Sequence, residues 1–151
     1  MLGHRLAGIL AAASGLALFL LTPTPAMATG DDFLHACQSS DVSCQNGVEV
    51  SGTIGPYNRC ETAADLTEVC VRYDGDVVYV KDGATDSHSA IGMVSTSSGV
   101  PTRICRNPYG NGTWARCDFD WVEDANHDVY GGEKVDYDSA PVNYLWSFSS
   151  N

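Results

Sequence analysis

Basic side chains are scarce in this sequence. Eight lysines and arginines stand against 19 aspartates and glutamates, which gives a formal net charge of −11. Such a surface repels phosphate backbones and anionic lipid headgroups, so we expect no nucleic-acid partner and no binding to a membrane surface. Basic proteins or cations are favoured as partners instead.

Several catalytic and metal-binding motifs are also missing. The chain has no Gly-x-Ser-x-Gly, no His-Glu-x-x-His and no Cys-x-x-Cys pair of the kind that indicates a zinc site. Asp86, Ser87 and His88 are neighbours, but the members of a catalytic triad usually come from separate segments, so a polar loop explains them equally well. We therefore expect a non-enzymatic protein that needs no cofactor.

The chain has one long apolar run, and it lies at the N-terminus. A basic head at 1–5 precedes the uncharged run 6–21, and Ala26-Met27-Ala28 provides the small-x-small pattern of a signal-peptidase site. A run of this length is short for a membrane span, which favours a cleaved signal peptide over 1–28 and a secreted, extracellular protein. Loss of Arg5 with the signal changes the net charge from −11 to −12.

All six cysteines lie beyond the predicted signal, and their even number predicts three disulfides in an oxidising compartment. Fifteen pairings are conceivable. A hairpin folded about Asn111 would place Cys105 opposite Cys117, and the remaining cysteines are paired with their neighbours by default. The predicted disulfides are Cys37–Cys44, Cys60–Cys70 and Cys105–Cys117.

Short β-type runs alternate with turn residues from Val48 onward. Asp74-Gly75 between two apolar runs predicts a tight hairpin, and a single short helix is predicted over Thr62–Val69 with Thr62 as its N-cap. We predict an all-β fold of seven or eight strands, in a small disulfide-braced antiparallel sandwich or open barrel. Residues 29–47 are interpreted as an extended N-terminal arm, and 48–151 as a single β-domain.

An acidic stretch from Asp118 to Asp138 holds the one candidate metal site. Asp124, Asn126 and Asp128 place oxygen ligands at alternate positions, as the start of a calcium loop does. The glycine and glutamate that complete an EF-hand are replaced by valines, so the choice lies between a solvated acidic loop and a calcium site of another geometry.

Aromatic residues near the predicted hairpin tip are the candidate contact residues of the β-domain. Tyr109 and Trp114 belong to the types that dominate protein-binding hot spots, although aromatic residues in strands are more often part of the core. Arg59 and Arg103 are the residues that a protease inhibitor would present to its enzyme. A secreted hydrolase would instead depend on a carboxylate or on His88.

The order of signal, arm and cysteine-braced β-domain resembles two groups of proteins exported by filamentous Gram-positive bacteria. One comprises small extracellular protease inhibitors, and the other is the small adaptor subunit of umbrella toxin particles. The second resemblance implies that residues 29–47 form a strap, with Phe33, Leu34 and His35 as its apolar contact to another secreted or cell-surface protein. We expect a secreted protein-binding module, an adaptor or structural component of an antibacterial toxin assembly in bacterial competition; an inhibitor and a hydrolase are the alternatives.

Overall fold

The computed structural model describes residues 36–97, 101–123, 125–133 and 143–149. These residues form ten β-strands, more than the seven or eight that the sequence predicts. The strands are β1 (Val42–Asn46), β2 (Val48–Val50), β3 (Arg59–Thr62), β4 (Glu68–Arg72), β5 (Val77–Lys81), β6 (Ala90–Thr96), β7 (Thr102–Asn107), β8 (Trp114–Asp118), β9 (Asn126–Gly132) and β10 (Asn143–Ser149).

The strands form two five-stranded sheets that pack face to face. The first sheet has the order β1-β7-β6-β9-β10, and the second has the order β2-β8-β5-β4-β3. The β1–β7 pair is parallel, and the other described strand pairs are antiparallel. The predicted all-β, disulfide-braced sandwich is therefore confirmed.

The core lies between the two sheets and is rich in valine. Val69 and Val80 of the second sheet are fully buried, and they face Val94 and Val129 of the first. Buried and more exposed residues alternate along β8, whereas β4 and β5 are buried on both faces. Because β-branched side chains pack well on a pleated surface, short runs of valine build much of this core, together with Trp121, Trp146 and Phe148.

The chain changes sheets at Gly47, between β1 and β2. The Gly47 N–H donates to the carbonyl of Arg106, 2.8 Å away, and a Cβ atom at Gly47 would lie only 2.8 Å from that of Ala115. A larger residue would therefore push the crossing away from the sheets. Residues 42–46 of the predicted arm thus form an edge strand of the sandwich.

The structure contains the three disulfides that the sequence predicts, Cys37–Cys44, Cys60–Cys70 and Cys105–Cys117. The geometric reason given for the third pair was wrong, because β7 and β8 belong to different sheets. Positive φ angles at Gly110 and Gly112 turn the chain from one sheet to the other. Cys105–Cys117 therefore joins the two sheets through the core and does not span a hairpin ladder.

The predicted helix over Thr62–Val69 is wrong. Thr62 and Glu68 are paired residues at the ends of β3 and β4, and the intervening turn is closed by the Ala63 N–H donating to the carbonyl of Thr67. The β3–β4 ladder and its disulfide override the weak helical signal of this short segment. The Asp74-Gly75 hairpin is confirmed: it joins β4 to β5 with positive φ at Gly75 and Asp76.

Each sheet has an irregular segment over its outer face. Residues 51–58 connect the opposite edges of the second sheet, and Ile54 packs there against a cluster that includes Tyr79. On the first sheet, Ala36 and Cys37 pack against Ile91 and Ile104. The described residues include no helix long and apolar enough to cross a membrane.

Candidate functional site

A row of apolar side chains crosses the outer face of the first sheet from edge to edge. Its members are register partners on consecutive strands, one each from β1, β7, β6, β9 and β10. We call the set of Cys44, Ile104, Met93, Tyr130 and Tyr144 the apolar row. Strand pairing alone brings these residues together, although they are far apart in sequence.

One half of the apolar row is covered and the other half is open. Ala36 and the Cys37–Cys44 disulfide pack over Ile104. At the other end, Tyr144 is 57% exposed, and its ring lies edge-on to that of Tyr130 with centroids 5.8 Å apart. Met93 and Tyr130 are half-buried. The open half is therefore an aromatic surface on a regular sheet.

Hydrogen bonds hold the open half in place. The hydroxyls of Tyr144 and Ser147 lie 2.8 Å apart, and the Ser147 hydroxyl donates to the carboxylate of Asp128. A bulge at Leu145 keeps Tyr144 on the outer face while Trp146 points into the core. The sheet and its polar neighbours therefore fix the position of the Tyr144 side chain.

Two residues of the predicted calcium site, Asn126 and Asp128, lie on the strand that also carries Tyr130. Asn126 and Asp128 belong to the regular strand β9, and Asp128 accepts the hydrogen bond from Ser147. Asp124 lies outside the described residues. Residues 126–132 of the acidic stretch therefore form a strand that is hydrogen-bonded to a neighbouring strand on each side. They do not form the solvated loop considered from the sequence.

The other predicted contact residues fall in different places. Tyr109 is 44% exposed, and its hydroxyl donates to the carbonyl of Gly47 at 3.0 Å. Trp114 is half-buried on the outer face of the second sheet, where it packs with Val50 and Ile54. Trp114 thus helps to build the fold. The remaining candidates, Phe33, Leu34 and His35, lie outside the described residues.

The two arginines considered for a protease inhibitor are both engaged within the protein. Arg103 is buried, and its guanidinium donates to the carbonyl of Asp120 at 2.6 Å. Arg59 pairs with Glu61 and lies over the ring of Trp146, 5.2 Å from its centroid. Arg103 is therefore not placed to enter the active site of a protease.

A second group of polar side chains lies at the end of the first sheet where β6 begins and β9 ends. Asp86 and His88 come from the loop before β6, and Glu133 follows β9; we call these three residues the Asp–His–Glu cluster. One ligand atom from each residue lies within 4.8 Å of the others. The Asp86 carboxylate accepts the His88 backbone N–H and lies 3.7 Å from the His88 Nδ1 atom, beyond hydrogen-bonding distance.

The two carboxyl groups of the Asp–His–Glu cluster influence each other. Burial and a hydrogen bond with Asp86 raise the pKa of Glu133 to about 7. The His88 backbone N–H and the hydrogen bond with Glu133 lower the pKa of Asp86. At pH values below about 7 the pair therefore shares a proton that resides mainly on Glu133.

The raised pKa of Glu133 predicts that Glu133→Gln changes the thermal stability of the protein in a pH-dependent way. Ionising Glu133 in the folded state is unfavourable, so the wild-type protein loses stability as the pH rises from about 4.5 through 7. We expect the variant to unfold at the wild-type temperature at pH 4 and at a higher temperature at pH 8. Thermal unfolding in the presence of a chelator measures both values. Glu49→Gln, on an exposed position of β2, should show no such pH dependence.

A third polar group is buried at the opposite end of the sandwich. His127 is fully buried, its two ring nitrogens make no hydrogen bond, and its ring stacks on Phe148 at a centroid distance of 4.7 Å. Asp76 is also buried, and one of its carboxylate oxygens accepts the Trp121 backbone N–H at 2.8 Å. Burial lowers the pKa of His127 and raises that of Asp76, so the site disfavours charge on both.

The residues that converge in these places were not predicted from the sequence. Tyr130 and Tyr144 become neighbours through the β9–β10 register, and Glu133 meets Asp86 through the pairing of β6 with β9. Alternation along 146–149 was the available signal that Trp146 and Phe148 face the core, but it would place Tyr144 on that same face, and only the bulge at Leu145 turns Tyr144 outward. The chain matches no protein-family model, no curated protein and no solved structure.

Proposed function

We propose that this chain is a secreted, non-enzymatic module that binds another protein through the open half of the apolar row. The observation that carries the proposal is the pair formed by the exposed Tyr144 and Tyr130, with Met93 beside them. Tyrosine and methionine are enriched where proteins meet, and the energy of an interface concentrates in a few such residues. The hydrogen-bonded strands β6, β9 and β10 present them without a loop to be ordered.

The negative charge of the chain favours a partner whose binding surface has basic residues around an apolar centre. Asp128 borders the open half, and the whole chain carries a formal charge of −11. A complementary positive rim on the partner would speed association and align the two surfaces. Three disulfides are consistent with an oxidising environment outside the cytoplasm, in agreement with the signal peptide proposed for residues 1–28.

The resemblance to toxin adaptor subunits suggests the finer role. An adaptor needs two contacts, and this chain offers two candidates: the predicted strap and the open half of the apolar row. Ala36, which directly follows segment 29–35, packs on the covered half of the same sheet face. We therefore propose that the strap and the aromatic surface engage components of one secreted assembly, which acts on competing bacteria.

Loss of the Tyr144 side chain is expected to weaken partner binding at least tenfold. In the experiment, tagged wild-type protein and Tyr144→Ala are recovered from culture medium, and co-purifying proteins are quantified by mass spectrometry. The matched control is Tyr57→Ala, which removes a tyrosine of similar exposure (51%) from the segment over the other sheet. We expect the control to recover the partner at the wild-type level.

Two results would contradict the proposed function. Equal recovery of the partner by Tyr144→Ala and by the wild type would exclude the aromatic surface as the binding site. Catalytic turnover by the purified protein, abolished by a single change such as His88→Ala, would show a hydrolase. A shortened chain without residues 29–35 separates the strap's contribution, and it leaves β1 and Cys37 in place.

A further inference from the structure

We propose that the Asp–His–Glu cluster binds a divalent transition-metal ion of the zinc type. Asp86, His88 and Glu133 each supply one ligand atom, and the three atoms lie within 4.8 Å of one another. One imidazole and two carboxylates form a donor set that zinc accepts in proteins. This inference is independent of the aromatic surface and assigns the protein a second kind of site.

The fold assembles the cluster from two separate segments. Pairing of Ile91 with Gly132 places the start of β6 beside the end of β9, so the loop before β6 meets the residue after β9. The loop itself is held by the Asp86 carboxylate, which accepts the His88 backbone N–H at 2.9 Å. The Thr67 hydroxyl also donates to the carbonyl of Gly132, which ties the next residue, Glu133, to a third segment.

The imidazole of His88 provides an observation of a different kind. Its Nδ1 atom is shielded from solvent and makes no hydrogen bond, although it faces the Asp86 carboxylate at 3.7 Å. Two ligand atoms on one tetrahedral zinc ion lie about 3.3 Å apart, given metal–ligand distances of about 2.0 Å. A small inward movement would therefore allow one ion to contact both atoms and to satisfy the unbonded nitrogen.

Charge around the cluster favours a cation. The charges that act on Glu133 include the carboxylates of Asp86 and Asp65, against the single imidazole of His88. A divalent ion would offset this excess of negative charge. The nitrogen donor distinguishes the site from one for calcium or magnesium, which prefer oxygen ligands throughout. Three protein ligands leave at least one coordination position for water or for a ligand donated by a partner.

Zinc titration of the exported protein tests the proposal. The probe is zinc ion alone, added to chelator-treated protein in an isothermal titration, with calcium as the competing probe. We expect one zinc per chain in the wild type and at least tenfold weaker binding in His88→Ala and in Asp86→Asn. Asp74→Asn is the matched control, because it removes the same charge from an exposed residue in the β4–β5 turn.

A second measurement shows whether the zinc ion binds at His88 itself. Zinc should shift the imidazole signals of His88 in the nuclear magnetic resonance spectrum, and His127 should stay unchanged because it is buried at the other end of the sandwich. Thermal unfolding of each variant shows whether the domain is still folded. Zinc binding that survives His88→Ala and Glu133→Gln would overturn the proposal, as would calcium binding in preference to zinc or no binding of zinc to the wild type.

Discussion

Replacing Cys105 and Cys117 together by alanine is expected to lower the free energy of unfolding by about 3 kcal/mol or more. A cross-link between residues at this separation lowers the conformational entropy of the unfolded chain, which stabilises the folded state by about 3 kcal/mol. Both half-cystines are also buried in the core between the sheets, so their removal leaves a space that neighbouring side chains fill poorly. Equilibrium unfolding in denaturant measures the loss.

The Cys60–Cys70 pair supplies the control for this experiment. It closes a loop of similar length, with a sequence separation of 10 against 12, so the two unfolded-state contributions differ by only about 0.2 kcal/mol. The β3–β4 ladder still joins the segments around Cys60 and Cys70 when that disulfide is removed. We therefore expect Cys60→Ala/Cys70→Ala to cost less. Equal losses would contradict a special role for the bond between the sheets.

Replacing His127 by phenylalanine is expected to remove most of the acid sensitivity of the fold between about pH 6.5 and 5. The wild-type imidazole is held neutral by burial, which lowers its pKa, whereas the unfolded chain takes up a proton near pH 6.5. The contribution of His127 to stability is therefore complete above that pH and falls as the solution is acidified, by up to about 1.4 kcal/mol per pH unit. His127→Phe has no proton to take up at this position.

The measurement is the difference in unfolding free energy between His127→Phe and the wild type across this pH range. Glu133 is present in both proteins at the other end of the sandwich, so its titration largely cancels, whereas Asp76 interacts electrostatically with His127 and contributes to the measured difference. Phenylalanine also suits the site, since its ring can stack on Phe148 and no ring nitrogen is left without a hydrogen bond. A parallel pH dependence for His127→Phe and the wild type would show that His127 is not responsible.

Local patterns in the sequence predicted much of the fold. Valine-rich alternation marked the core strands, Asp74-Gly75 marked a hairpin, and pairing neighbouring cysteines reproduced all three disulfides. These features depend on residues close together in the chain. The helix predicted over Thr62–Val69 failed because the Cys60–Cys70 disulfide and the β3–β4 ladder decide the conformation there.

The candidate sites depend on information that a single sequence does not hold. The turn at Gly110 and Gly112 could close a hairpin or carry the chain to the other sheet, and only packing selects the second. Tyr130 meets Tyr144, and Asp86 meets Glu133, through strand register between distant segments. Residue types alone therefore pointed to Tyr109 and Trp114, whereas strand order assembles the aromatic surface and the Asp–His–Glu cluster elsewhere.

The segments that pack over the outer faces of the two sheets are held in place in different ways, and this difference links folding to oxidation. Residues 51–58 are fixed at both ends by strands of the second sheet, whereas Ala36 is held over Ile91 and Ile104 beside the Cys37–Cys44 bond. A newly made chain whose thiols are still reduced lacks the Cys37–Cys44 bond. Ile91 and Ile104 of its first sheet would then lose this cover and favour self-association, so burial of this face is coupled to oxidation of Cys37 and Cys44.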